Sequence, residues 1–397
     1  MAASHSLIAT LAIAFGYALI LGVIATRVGL PALVGYLVAG IIVGPFTPGF
    51  VADTTLAPQL AEIGVIFLMF GVGTHFSLRD LLAVWTIAVP GAIAQIVVAT
   101  ALGAAAALYW GFSLEAALVF GLALSVASTV VLLGALQAAG GVDTRDGKIA
   151  VGWLIVEDIV MVVALVLLPA LARTQSTASD AGAMALALGL ALLKVAGFSA
   201  LMLVAGARVM PWIFAHVDRL HARELMVLAG LAAALGIAYG ASELFDVSFA
   251  LGAFLAGVVL NGSPAGHRVA TYLVPFRDAF AVLFFVGVGM AFEPSILVRR
   301  PLEVAVTTAI IVLGKSLAAF LIALALRRPV STALRVAAAL AQIGEFSFII
   351  VAMATSLGVL PAEGRSLILG GALLSILLNP FVFKAAEAVA GRLDKRA

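Results

Sequence analysis

Glu157 and Asp158 stand side by side in an apolar run from about Ile149 to Leu171. A charge at the centre of a bilayer costs about 2.5–3.5 kcal/mol on insertion scales, so an ionisable residue there marks a functional site by default. A carboxyl group in that setting is neutral when it holds a proton and anionic when it holds a cation. Proton and cation can therefore compete for one site. Neighbouring side chains on a helix lie about 100° apart, so the two acids address different surroundings. Asp158 shares a face with Val151, Ile155, Val162 and Leu165, while Glu157 shares one with Trp153, Val160, Met161 and Ala164. One acid is expected to face the polar centre of the protein and the other a neighbouring span. Lys315 is the cation available for pairing, because a buried ion pair offsets part of the desolvation cost of both groups. A lysine–carboxylate pair that only holds helices together is the competing reading, and it accounts for one acid of the two.

The elements that carry these residues are membrane helices. The chain has 397 residues, 64% of them hydrophobic and 11% charged, with a mean hydropathy of +1.23. Soluble domains carry about 25% charged residues. A span needs about 20 apolar residues, and such segments recur. Thirteen are expected, centred near Ala14, Val38, Phe67, Ala94, Ser128, Ile159, Val195, Ala233, Leu255, Phe284, Val312, Phe346 and Leu374. The fold class is an all-α polytopic membrane protein. The first segment lacks a basic leader and is read as a retained span. The absence of cysteine excludes disulfides and thiol chemistry. The net charge of +2 gives no reason to expect nucleic acid as a partner. No nucleophile–base set or metal-ligand cluster is visible, so an enzyme is not expected. Arg27, Arg145, Lys148, Arg219, Arg327 and Arg335 fall in odd-numbered loops with most of the other cations. The even loops hold four, among them Arg299, Arg300 and Arg365. By the positive-inside rule this places the C-terminus in the cytoplasm and the N-terminus outside, in a multi-pass protein of the inner membrane.

The sequence repeats itself. Gly35-Tyr-Leu-Val-Ala-Gly40 reads against Gly252-Ala-Phe-Leu-Ala-Gly257, an offset of 217 residues, and Gly71-Val-Gly73 against Gly287-Val-Gly289 at nearly the same offset. The same offset lays Ser125–Thr129 over Gln342–Phe346. Residues 1–172 are read as a first repeat, 181–211 as a connector helix and 223–391 as a second repeat. Spans 1–6 then correspond to spans 8–13, and the odd offset of seven spans makes the second repeat inverted. Inverted repeats of secondary transporters place the substrate site at mid-membrane, between helices that unwind there. Leu124-Ser-Val-Ala-Ser-Thr129 and Ala341-Gln-Ile-Gly-Glu-Phe-Ser347 interrupt equivalent spans with small and polar residues, and are expected to be two such broken helices, crossing each other. Crossed half-helices bring like dipole ends together and need compensating groups; Glu345 suits the positive ends. In the competing reading, Ser125, Ser128 and Thr129 bond to their own helix carbonyls in an unbroken span.

Leu60-Ala-Glu-Ile-Gly-Val-Ile-Phe-Leu-Met-Phe-Gly-Val-Gly73, Gly152-Trp-Leu-Ile-Val-Glu-Asp158, Gly252-Ala-Phe-Leu-Ala-Gly257 and Gln342-Ile-Gly-Glu-Phe-Ser347 occur in that order over essentially the whole chain. Together they resemble the Kef-type branch of the monovalent cation:proton antiporter-2 family. The resemblance implies a sodium/proton-antiporter-like fold, with spans 1–3 and 8–10 as a dimer domain and spans 4–6 and 11–13 as a core that moves like an elevator. It implies that Asp158 binds cation and proton alternately, with Glu157 in the variable position before it. Oxygens of Ser128 and Thr129 would complete the coordination, and Lys315, Glu345 and Gln342 would serve charge balance around the crossing. It implies exchange of K+ or Na+ for H+, no cofactor beyond the transported ions, a homodimer in the lipid bilayer and room for a separate regulatory subunit. Kef potassium systems commonly carry Gln-Asp where this chain has Glu157-Asp158, and electrogenic sodium antiporters of related fold carry two acids. Cation preference and stoichiometry therefore stay open at this point. The chain is expected to be a single membrane domain over 1–397 without a cytoplasmic nucleotide-binding domain. A ligand-gated potassium efflux channel and a non-transporting receptor or scaffold remain as alternatives.

Overall fold

The computed structural model describes residues 7–48, 50–52, 56–75, 78–138, 140–141, 144–175, 181–261 and 264–394. The first half comprises α1 (Leu7–Arg27), α2 (Ala32–Val43), α3 (Leu56–His75), α4 (Leu78–Tyr109), α5 (Leu114–Leu124), α6 (Thr129–Ala138) and α7 (Arg145–Gln175). Next, α8 (Ala181–Leu201) passes through one π-helical turn, Met202–Gly206, into α9 (Ala207–Asp218). The second half holds α10 (Arg223–Phe245), α11 (Phe249–Asn261), α12 (Pro264–Met290), the short α13 (Ile296–Arg299) and α14 (Pro301–Ala309). A second π turn, Ile310–Gly314, leads to α15 (Lys315–Ala325), followed by α16 (Val330–Ala339), α17 (Glu345–Ser356) and α18 (Ala362–Asp394).

Only helices satisfy every backbone group without water, which is why apolar runs rich in β-branched residues are helical here. Twelve of the thirteen expected span centres fall within a helix or its π turn, and Ser128 falls in the gap between α5 and α6. Among the described residues eight helices are long and apolar enough to cross a membrane, and six more are apolar but shorter. The shorter ones include α2, α11 and three of the pieces beside the two breaks, α5, α16 and α17. The breaks are equivalent: α5 and α6 part over residues 125–128, and α16 and α17 over residues 340–344. Ser113 caps α5, its Oγ accepting from the Ala116 N–H at 3.2 Å.

The chain divides into two compact units. One comprises Met1–Phe15, Val51–Phe76 and Val162–Val288. Within it α3 meets α11 at Gly73 and Gly257. A Cβ at Gly73 would lie 2.2 Å from the Phe254 carbonyl oxygen, and one at Gly257 would lie 2.3 Å from that of Phe70. Phe67 stacks on Phe280, and the Arg223 guanidinium sits over the Tyr272 ring.

The other unit comprises Gly16–Phe50, Ser77–Met161 and Gly289–Ala397. It uses the same device on the equivalent pair, since a Cβ at Gly289 would lie 2.1 Å from the Leu37 carbonyl oxygen and 2.9 Å from the Gly40 Cα. Gly289 corresponds to Gly73 and Gly257 to Gly40 by the sequence offset. Each half of the chain thus lends one helix to a pair whose other member comes from the opposite half. The α2 helix thus packs on the end of α12 through Gly289. The second unit's core includes Trp153, Leu132, Ile149, Leu154, Leu340 and Phe383.

A methyl group at these contacts meets backbone, which cannot rotate away. Gly257→Ala and Gly289→Ala are expected to cost about 1–3 kcal/mol each, read as a lower thermal midpoint in detergent. Gly236→Ala, where a Cβ would meet nothing within 4 Å, should leave the midpoint in place.

Candidate functional site

All of the singled-out polar residues lie in the second unit, at the two breaks. The helix α5 stops because Ser125 folds back on it: both its N–H and its Oγ donate to the Leu122 carbonyl, at 3.0 and 2.7 Å. The next helix starts at Ser128, whose Oγ accepts from the Val131 N–H at 3.4 Å and whose carbonyl accepts from Leu132. The second break passes directly over the first. A Cβ on Gly344 would lie 2.3 Å from the Ser128 Cα, so only glycine allows the crossing to close. Gln342 locks it with both ends of its amide: Oε1 accepts from the Ser128 N–H at 2.9 Å, and Nε2 donates to the Ser128 carbonyl at 3.2 Å. A side chain here replaces the helix hydrogen bonds lost at the break. The reading of an unbroken helix around Ser128 is set aside by this geometry.

The crossing leaves two helix N-termini and two C-termini facing a medium without water, and each finds a group of opposite polarity. Glu345 opens α17, and its carboxylate accepts from the Ser128 Oγ at 3.1 Å, so it stands at the positive ends of both α6 and α17. At the negative end of α16, the Lys315 ammonium donates to the Gln342 carbonyl at 2.9 Å, and Asn379 Nδ2 donates to the Ala338 carbonyl at 2.9 Å. At the negative end of α5, Gln95 Nε2 donates to the Ser125 carbonyl at 2.8 Å.

Three carboxyl groups and one ammonium are buried together. Glu157 and Lys315 are wholly inaccessible, and Asp158 and Glu345 nearly so. Glu157 Oε2 accepts from the Ala127 N–H at 2.8 Å, placing this acid against the first break. The position of Lys315 differs from the expected pair: it makes no direct ion pair among the described residues, and Glu157 is its Coulombic partner through space. The direct hydrogen bond of the ammonium goes to the Gln342 carbonyl within the second break. Asp158 is electrostatically coupled to Glu345 and then to Glu157, both acids. Its Oδ1 is buried without a hydrogen-bond partner, as is Glu157 Oε1, while Thr129 interacts with the Glu345 carboxyl. Glu345 has two helix ends and a hydroxyl, and Glu157 has a backbone N–H and a lysine within electrostatic reach. Asp158 faces like charge.

The sequence profile described as "sodium/hydrogen exchanger, transmembrane" matches residues 12–386. This chain belongs to that family. The YbaL protein of Escherichia coli (strain K12), whose name assigns it to cation/proton antiport, is 57% identical over 372 residues, covering 93% of this chain and 66% of YbaL. K(+) efflux antiporter 4 of Arabidopsis thaliana is 31% identical over 363 residues, covering 91% of this chain and 60% of that protein. The chain thus spans slightly less than two thirds of these relatives. The fold is that of the sodium proton antiporter MjNhaP1 from Methanocaldococcus jannaschii, with a TM-score of 0.71 at 17% identity over 97% of this chain and 98% of that one. The resemblance to the cation:proton antiporter-2 family read from the motifs is of the same kind.

Several polar residues of this family member escaped the sequence reading. Gln95 sits beside Ala94, the centre of the fourth expected span, and an amide at mid-membrane was signal enough to single it out. Asn379 lies in the last span in the same way. Lys194 reaches Asp246 at 3.4 Å. Arg335, counted only as a loop cation, joins Asp146, Glu387 and Asp394 at 2.9, 2.9 and 2.7 Å. Those acids come from the start of α7 and the end of α18, distant in sequence, and no local pattern announces them.

Proposed function

We propose that this chain exchanges a monovalent cation for protons, with K+ as the favoured cargo and Na+ as the alternative, and that Asp158 is the group both ions use in turn. The observation that carries this reading is the buried Oδ1 of Asp158, without a hydrogen-bond donor and coupled to two further acids. A buried carboxylate with no counter-charge is costly enough that it takes up a proton or a cation. Occupation by one excludes the other, and exchange follows from competition once the site opens to each side alternately. Glu157 Oε1 is a second oxygen without a partner, and Thr129, beside the Glu345 carboxyl, would complete the coordination of a cation with Ser128 at the α6 cap. Glu157, Lys315, Glu345 and Gln342 hold the crossing and its charge balance.

Alternating access would be of the elevator type, with α4–α7 and α14–α18 travelling as one body in a homodimer. The site would be carried in the inner membrane, N-terminus outside and C-terminus cytoplasmic, as the loop charges suggest. The name of the Arabidopsis relative and the Kef-type motifs favour K+.

Purified protein in liposomes carrying an internal pH dye should alkalinise the lumen when K+ is added outside, each entering cation being exchanged for outgoing protons. The expected order is K+ over Na+ and Li+, unaffected by an ionophore that clamps the potential if exchange is one for one. Dye responses equal for choline and K+ would rule the reading out, and currents far above transporter turnover without proton movement would point to a channel.

A further inference from the structure

Gln95 is fully buried on α4 and bonded at both ends of its amide. Its Nε2 donates to the Ser125 carbonyl at 2.8 Å, and its Oε1 accepts from the Trp153 indole N–H at 3.2 Å. Trp153 lies one turn before Glu157 on α7, also fully buried, in a slot cut by Gly91, where a Cβ would come within 2.3 Å of the ring. One amide therefore ties three elements together: α4, the end of α5 at the break, and the turn of α7 that presents Glu157 and Asp158. The fixed orientation of Gln95 follows from its partners, since a carbonyl needs its donor end and an indole its acceptor end.

The internal repeat gives this residue a counterpart. Ser125 corresponds to Gln342 by the 217-residue offset, and the Gln342 carbonyl receives the Lys315 ammonium. Gln95 and Lys315 thus do the same thing for the two broken helices, one with a neutral amide and one with a charge. We propose that Gln95 is a positioning residue for ion exchange, holding the Ser125 carbonyl and the α7 acids in register as the uncharged counterpart of Lys315. This rests on the reading of Asp158 as the exchange site. Without the amide, the Ser125 carbonyl is left buried without its donor and the first break can relax, so the oxygens around Asp158 lose their shared geometry.

The test is K+/H+ exchange in proteoliposomes for Gln95→Met, Trp153→Phe and the double variant, beside wild type and Asp158→Asn. Gln95→Met should raise the half-saturating K+ concentration about tenfold while the maximal rate stays within about threefold. Trp153→Phe, which keeps an aromatic ring and removes the N–H, should raise it about threefold. The double variant should be no worse than Gln95→Met, since both substitutions cut one chain of hydrogen bonds. Wild-type half-saturation in monodisperse Gln95→Met overturns the proposal, as does multiplication of the two effects in the double variant. Should Gln95→Met not purify as a monodisperse species, Trp153→Phe decides: an unchanged half-saturation overturns the proposal. Asp158→Asn separates the two claims, because exchange at the wild-type rate in that variant defeats the reading of Asp158 itself.

Discussion

Asp158→Asn should reduce cation-driven proton movement at least about a hundredfold, equivalent to about 2.7 kcal/mol or more. Asparagine keeps the size and a carbonyl oxygen but can neither release a proton nor balance a cation. The electrostatic setting makes the loss one of exchange rather than of folding. Asp158 is flanked by Glu345 and Glu157 and has a buried oxygen with no donor, so replacing it by an amide removes a like-charge conflict from the interior. The variant should therefore be at least as heat-stable as wild type in detergent while inactive in liposomes. Loss of both stability and exchange would mean that the residue is structural, and wild-type exchange would remove Asp158 from the mechanism. Glu157→Gln is the informative companion. That acid already has the Ala127 N–H, so the amide oxygen can take over the bond and some exchange should persist.

Much of this was legible in the chain before any fold was considered. The paired acids, the two polar interruptions and the repeated glycine motifs are all signals that apolar membrane helices do not otherwise carry, so each stands out against its background. The equivalence of the two breaks followed from one offset, and the crossing of Gly344 over Ser128 is its spatial form. Glu345 at the helix N-termini could be inferred because dipole compensation has a known sign.

What stayed hidden was the choice of partner. Lys315 and a carboxylate form the obvious pair when charges alone are considered, yet the ammonium donates to the Gln342 carbonyl. Sequence reasoning pairs side chains with side chains, while a broken helix supplies backbone acceptors that no letter of the sequence displays. Gln95 was passed over for the same reason: its partner is the Ser125 carbonyl, present only because α5 stops at Leu124. The contact of α2 with the end of α12 at Gly289 is likewise a consequence of three-dimensional approach rather than of periodicity.

Lys315→Met is the second large effect expected. It removes the one ammonium buried with three acids and strips the donor from the Gln342 carbonyl, while the methionine stem still fills the space. Removing one member of a buried charge set costs about 3–5 kcal/mol, so the thermal midpoint should fall sharply even where the protein still inserts. Two causes contribute to that loss, and a double-variant cycle separates them. If the charge of Glu157 is what Lys315 chiefly offsets, then Glu157→Gln together with Lys315→Met should recover about half of the loss or more, with a coupling of about 1–3 kcal/mol. If the carbonyl at the end of α16 is the main beneficiary, the double variant will be no more stable than Lys315→Met alone. The first outcome is expected, because an uncompensated carboxylate costs more to bury than an uncapped carbonyl. It would also explain how the chain carries Glu157 next to Asp158: the additional acid is held in check through space by Lys315, which leaves Asp158 as the acid that an incoming cation must neutralise.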